Sequence, residues 1–105
     1  MTPDGPETLA HAVDRLTAAG YHHEFVAREH GLRTLTSDQE FSFDQLVVDE
    51  VVRFEGVADP DDQAILCAVR TRDFTVKGTY VAPFGPDAPR LDAQALRALQ
   101  DAADA

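Results

Sequence analysis

The sequence predicts an α+β fold in which an antiparallel sheet of about five strands is flanked by an N-terminal and a C-terminal helix. Three observations indicate this fold: helical periodicity near each end of the chain, alternating or continuous apolar runs in the middle, and short turns between those runs. Because local hairpins give antiparallel sheets, we expect both helices to pack on one face. The 105 residues suit one domain, 1–105, with one modest core.

The first predicted element is a helix over residues 7–19. Its apolar residues follow the i, i+3, i+4, i+7 spacing of an amphipathic helix: Leu9, Ala12, Val13 and Leu16. Gly20 stands where a left-handed residue commonly ends a helix. Residues 24–28 and 32–35 then form two short β-type runs, and Gly31 between them suits the positive φ of a tight turn. This pattern predicts a first hairpin.

The middle of the chain predicts one helical turn and then a long strand. Residues 37–40, "SDQE", have the form of a capping box, and the following residues 41–55 are rich in β-branched and aromatic side chains. Strict alternation would place Leu46, Val48, Val52 and Phe54 on one face and Val47, Asp49, Val51, Arg53 and Glu55 on the other. Glu50 would then share the apolar face, so we expect either a bulge that turns it outward or a buried cation such as an arginine beside it.

The second half predicts a central hairpin and a closing helix. The continuous apolar run 64–69 and the alternating run 74–82 are joined by a short "TRD" turn. A proline-rich connection, 83–90, follows and has no regular period. Asp92 is then predicted to cap a helix over 93–105.

Composition and charge argue against several classes of protein. Acidic residues outnumber basic ones 19 to 9, and the basic residues are scattered, so nucleic acid and anionic membrane are poor partners. No apolar run approaches the ~18 residues that span a bilayer, and the first residues lack signal-peptide features. A cytoplasmic location follows. Cys67 is the single cysteine and His22 and His23 are adjacent, so we expect no disulfide, no bound zinc and no other cofactor.

The acidic segment "RFEGVADPDD", residues 53–62, is the candidate site. Its charged residues are Arg53, Glu55, Asp59, Asp61 and Asp62. Local capping explains the last four positions, with Asp59 as N-cap, proline first in the helix and carboxylates at its positive end. The spacing of a calcium loop is missing. A structural turn, a weak divalent-metal site and a partner-facing acidic patch all stay open.

The Arg53–Gly56 and Asp59–Asp62 motifs, together with Tyr80–Pro86, resemble a family of small uncharacterised bacterial proteins, over most of the chain. Some members carry the label phosphoribosylpyrophosphate synthetase, which this sequence does not support because it has no phosphate-binding loop. Some relatives resemble a zinc ribbon, with paired cysteines near residues 32–35 and 70–74. This chain has no cysteine there, so the resemblance implies that packing replaces the metal.

No nucleophile elbow, phosphate loop or dinucleotide motif occurs, so the sequence indicates no catalytic residue. The leading interpretation is a non-enzymatic, cytoplasmic binding or accessory module with an unknown ligand or protein partner. One alternative is a metal- or ligand-binding site at residues 53–62 with sensor or weak enzymatic activity. Another is an acidic mimic of nucleic acid. Val47 and Val51, with Leu66 and Val81, predict a second apolar sheet face that a homodimer would cover.

We expect Asp59→Ala to lower the free energy of unfolding by about 0.5–2 kcal/mol, as the loss of an N-cap does. The loss should be equal with and without Mg²⁺ or Ca²⁺, measured by urea denaturation. A loss that appears only with the divalent ion present would show instead that the segment binds metal.

Overall fold

The computed structural model describes residues 8–54, 64–83 and 88–104. The elements are α1 (Leu9–Ala18), β1 (His23–Ala27), β2 (Gly31–Thr34), β3 (Glu40–Ser42), β4 (Leu46–Phe54), β5 (Ala64–Thr71), β6 (Lys77–Pro83) and α2 (Arg90–Asp104), with a 3₁₀ turn at Phe43–Gln45. The strands form one mixed sheet in the order β3-β2-β1-β6-β5-β4. The α+β class and the two terminal helices are confirmed, whereas the sheet has six strands and is only partly antiparallel. No helix in the described segments is long and apolar enough to cross a bilayer.

The sheet consists of two antiparallel meanders joined side by side. Strands β1, β2 and β3 form the first and β4, β5 and β6 the second, and parallel pairing of β1 with β6 joins them. His23 lies opposite Gly78 at this junction, where a Cβ on Gly78 would stand 2.4 Å from the His23 carbonyl oxygen. The prediction of a wholly antiparallel sheet was wrong because local hairpins cannot reveal a pairing between strands from opposite halves of the chain.

The two helices lie on opposite faces of the sheet, and the prediction of one shared face was wrong. Leu66 and Ala68 of β5 pack with α1, whereas Ile65 and Cys67 belong to the core on the α2 side. All of these side chains are at most 2% exposed. A strand that is covered on both faces needs apolar residues at every position, which explains the continuous apolar run at this point of the sequence.

Strand β4 contains a β-bulge at Asp49. The register with β5 shifts between Val48, which faces Val69, and Glu50, which faces Ala68. The extra residue reverses the alternation that follows, so Val51 pairs with Cys67 on the α2 side. The predicted division of the strand into two faces therefore fails beyond Asp49.

The bulge also removes the surface from which a dimer was predicted. Val47 pairs with Arg70, which places it on the α1 side, and Val51 lies on the α2 side. Leu66 is fully buried beneath α1. These side chains do not form one exposed face, so association requires a different surface.

The predicted first helix and first hairpin are confirmed. The Thr8 hydroxyl accepts a hydrogen bond from the His11 amide at 3.1 Å, and Gly20 has a φ of +110° after the last turn of α1. Gly31, which was expected in the turn, instead begins β2. A Cβ there would stand 1.8 Å from the Phe41 carbonyl oxygen, so glycine is required by the close approach of β3.

Two of the predicted helix caps, at residues 37–40 and at Asp92, are not present in the structure. Residues 37–40 do not form a helical turn: β3 begins at Glu40, and the 3₁₀ turn follows it, with the Gln45 side chain accepting from the Ser42 amide at 3.0 Å. Helix α2 begins at Arg90, so Asp92 lies inside its first turn rather than before it. The Asp92 carboxylate instead accepts a hydrogen bond from a tyrosine, as described below.

Candidate functional site

A concave surface lies between α2 and strands β4 and β5. One cavity of about 350 Å³ is lined by Val48, Val51, Ile65, Cys67, Leu96, Leu99 and Gln100. A second, of about 330 Å³, is lined by Arg53, Ile65, Pro83, Ala88, Ala93, Leu96, Arg97 and Gln100. The two share Ile65, Leu96 and Gln100, so we treat them as one surface and name it the α2 groove.

The bulge in β4 determines which side chains line the α2 groove. Because Asp49 is inserted into the alternation, Val51 and Arg53 lie on the same side as Val48. Val51 is 52% exposed, whereas the floor residue Ile65 is 2% exposed. An exposed apolar wall over a buried apolar floor is the usual form of a binding cleft.

Polar contacts near the start of α2 set the position of the groove's helical wall. Tyr80 is 1% exposed, and its hydroxyl donates a hydrogen bond to Asp92 Oδ1 at 2.5 Å. Arg90 forms an ion pair with Glu29 at 2.9 Å, and the Gln94 side-chain amide donates to the Glu29 carbonyl at 3.1 Å. Further along the helix, Leu96 and Leu99 contact the sheet through apolar packing.

Cys67 lies on the floor of the groove and is unsuited to nucleophilic chemistry. It is 2% exposed, and burial raises the pKa of its thiol to about 11. Because the thiolate is the reactive form, the side chain is protonated and unreactive at neutral pH. It acts as a small apolar side chain in the floor.

The sequence-predicted site is only partly located. Arg53 lines the α2 groove, as does Arg97. Glu55, Asp59, Asp61 and Asp62 lie outside the described residues, so the structure does not show whether they approach Arg53. Within the described segments no group of three or more His, Cys, Asp or Glu residues could hold a metal ion.

A cluster of polar side chains on the α1 side of the sheet, opposite the α2 groove, holds the bulge in place. Asp49 accepts a hydrogen bond from the Tyr21 hydroxyl at 2.6 Å and forms an ion pair with Arg70 at 3.1 Å. Glu50 binds Arg15 of α1 with a shortest distance of 2.6 Å. Of the two alternatives expected for Glu50, the bulge is therefore present, whereas its arginine partner is not buried: the pair is about 40% exposed and contributes at most about 1 kcal/mol.

This cluster could not be predicted from the sequence because its members are far apart in the chain. A bulge has no sequence motif, and Tyr21 gave no pattern of its own. The one available signal was the charged pair Asp49 and Glu50 inside an otherwise apolar strand. Their acidic side chains require partners once the strand is packed, and the strand geometry adjusts to supply them.

A second apolar surface remains uncovered on the α1 side. Helix α1 lies over β5 and its neighbours, which leaves Val26, Leu35 and Val81 around a cavity of about 280 Å³ beside Val13. Glu24 and Thr79 also line this cavity. Leu35 is 54% exposed and Val81 is 39% exposed. We name this surface, defined by Val13, Val26, Leu35 and Val81, the open face.

Comparison with protein-family models, with curated proteins and with solved structures gives no match to the chain.

The two tyrosines of the chain should resist ionisation in the folded protein. Burial, with hydrogen bonding to Asp49, raises the pKa of Tyr21 to about 12. Burial and the Asp92 hydrogen bond raise the pKa of Tyr80 still further. Since folding raises both pKa values, the stability that they contribute is complete below the unfolded value of about 10 and decreases as the pH rises through about 12.

Absorbance of tyrosinate measures this directly, because the chain has two tyrosines and no tryptophan. The folded protein should show little tyrosinate at pH 10, where the urea-unfolded chain is about half ionised. Asp92→Asn provides a control, since it removes the carboxylate beside Tyr80 and leaves Tyr21 unchanged. If both tyrosines of the folded protein ionised near pH 10, as in the unfolded chain, the result would contradict the structure.

Proposed function

We propose that the chain is a small non-enzymatic binding module whose ligand-binding surface is the α2 groove. The observation that supports this most strongly is Val51, an apolar residue 52% exposed above a cavity whose floor is almost fully buried. Ligand sites are typically concave and mostly apolar with a few polar groups at the rim. The α2 groove fits this description, with Gln100, Arg53 and Arg97 as the polar groups.

The chemistry of the lining supports binding rather than catalysis. The described residues around the groove include no histidine, carboxylate, lysine or tyrosine that could serve as a general acid or base. The one nucleophilic group, Cys67, has a raised pKa. Groups of this kind hold and orient a ligand but do not transfer protons to it.

The setting we propose for this module is the bacterial cytoplasm, where it acts as an accessory protein without nucleic-acid or membrane partners. The net charge of −10 and the single buried cysteine support that location. Membership of the small bacterial family named above is likewise a proposal, supported by the motif residues. Metal or ligand binding at residues 53–62 is the alternative. The stability of Asp59→Ala with and without Mg²⁺ or Ca²⁺ tests the metal-binding form of it.

We also propose that two copies associate through the open face. Val26, Leu35 and Val81 lie on a sheet face that α1 leaves uncovered, beside the partly buried Val13. Pairing of two such faces about a two-fold axis would remove this apolar area from water. This surface differs from the one predicted from sequence, with which it shares only Val81.

Two matched substitutions test the groove and the open face separately. Val51→Asp should weaken binding of the neutral dye N-phenylnaphthylamine by about tenfold, because it places a charge on the apolar wall. Its mass by light scattering should stay near twice 11.5 kDa. Val81→Asp should leave dye binding unchanged and reduce the mass to that of one chain.

Each variant is the control for the other, since both replace an exposed strand valine with aspartate on opposite faces of the sheet. Thermal melting verifies that both fold. Equal dye binding by wild type and Val51→Asp would contradict the groove as the binding surface. A wild-type mass near 11.5 kDa at all concentrations would contradict the dimer.

A further inference from the structure

The two cavities of the α2 groove differ in charge. The first, of about 350 Å³, has no charged residue in its described lining, which consists of Val48, Val51, Ile65, Cys67, Leu96, Leu99 and Gln100. We name it the Cys67 cavity. Arg53 and Arg97 line the second cavity and not the first. Among the described residues, Gln100 is therefore the single strongly polar one that lines the Cys67 cavity.

Burial gives the Cys67 cavity an apolar floor. Ile65 and Cys67 are each 2% exposed and Leu99 is 1% exposed, whereas Val51 in the wall is 52% exposed. The Cys67 thiol is uncharged at neutral pH, because burial raises its pKa to about 11. A molecule that fills the cavity therefore meets uncharged side chains on the described floor and wall, and it removes Val51 from water.

An ion is poorly matched to this lining. It would lose water without gaining an oppositely charged partner, which is costly in apolar surroundings. The net charge of −10 also repels an anion in general. The same charge attracts a cation, but the described lining has no carboxylate to pair with one. Because the described lining has one strongly polar residue, a ligand with several polar groups would leave most of them unpaired.

The size of the cavity favours a small molecule over a protein partner. A stable protein interface involves roughly 20–30 residues on each side. The described lining of the Cys67 cavity has seven. A cavity of about 150 Å³ holds one benzene ring. By proportion, the cavity of about 350 Å³ holds roughly ten to fourteen non-hydrogen atoms, which is the size of two fused rings.

We propose that the Cys67 cavity binds an uncharged, compact apolar molecule of roughly ten to fourteen non-hydrogen atoms with at most one polar group. This inference rests on the proposed function of the α2 groove and specifies the class of its ligand. The ligand contacts the floor at Cys67 and covers Val51. Removal of apolar surface from water drives its binding, so a charge on the ligand weakens it.

Three probes with the same two-ring skeleton separate charge from apolar contact: 2-naphthol, 2-naphthoate and 2-naphthylmethylammonium. Each is titrated at neutral pH against bound N-phenylnaphthylamine. The uncharged 2-naphthol should bind about tenfold more tightly than either ion. The ammonium is the stringent comparison, because the net charge of −10 attracts it. Phenol, which has one ring fewer, should bind roughly tenfold or more weakly than 2-naphthol.

Cys67 itself reports where the probe binds. The chain has a single cysteine, so ¹³C labelling of the cysteine Cβ gives one signal, and that signal comes from the floor of the cavity. Titration with 2-naphthol should shift this signal with the same midpoint at which the dye is displaced.

Val51→Ala is the decisive variant and Val81→Ala its control. Both replace an exposed strand valine, but Val51 lines the Cys67 cavity whereas Val81 belongs to the open face. Val51→Ala should weaken 2-naphthol binding about fivefold, because it removes apolar contact area. Val81→Ala should leave it unchanged. Equal binding by the wild type and both variants would overturn the proposal.

The possible failures are distinguishable. If either ion binds as tightly as 2-naphthol and shifts the Cys67 signal, the uncharged class is overturned while the binding function of the groove stands. The same holds if the dye binds but 2-naphthol does not displace it. If neither the dye nor any probe binds, both proposals fail. If the Cys67 signal of the free protein shifts as protein concentration and mass rise together, a second copy of the chain occupies the cavity and the ligand proposal is overturned.

Discussion

The structure depends on one inserted residue. Asp49 adds a position to β4, and from Glu50 to Phe54 every side chain lies on the face opposite to the one that simple alternation predicts. Without the insertion, Val51 and Arg53 would lie on the α1 side, and of the β4 side chains that line the α2 groove only Val48 would remain. Hydrogen bonding from Tyr21 and pairing with Arg70 hold Asp49 in place. The contacts that hold the bulge therefore lie on the α1 side of the sheet, whereas the groove that the bulge shapes lies on the α2 side.

The two faces are also connected through the sheet itself. Strand β5 contributes Leu66 and Ala68 to the core beneath α1, and Ile65 and Cys67 to the floor of the groove. Because these residues alternate along one backbone, a shift of the strand by one position would exchange the two sets completely. Close packing on the α1 side thus fixes the register that keeps the floor of the groove apolar.

The sequence predicted those elements whose patterns are local. Helix α1 has its periodicity and terminal glycine within a few residues, and the β1–β2 and β5–β6 hairpins each have a short turn between matched runs. The bulge, the parallel pair and the second covered face depend on contacts between distant segments. The continuous apolar run in β5 is what burial on both faces requires. Both helices were nevertheless expected on one face, because the run does not identify which helix covers which side. Of the residues predicted for the candidate site, Arg53 lines the α2 groove, and its role in ligand binding stays a prediction. The other lining residues come mainly from β4, β5 and α2, and no local pattern marked them as a site.

The parallel pairing of β1 with β6 has a consequence for how the protein avoids aggregation. Two separate three-stranded meanders would present four open strand edges, each able to pair with another chain. Among the described residues, joining β1 to β6 leaves β3 and β4 at the edges of the sheet. Strand β3 has three residues, which is too short to be an effective template, and β4 is interrupted by the Asp49 bulge. The same inserted residue that shapes the groove therefore also protects the longer edge of the sheet from uncontrolled strand addition.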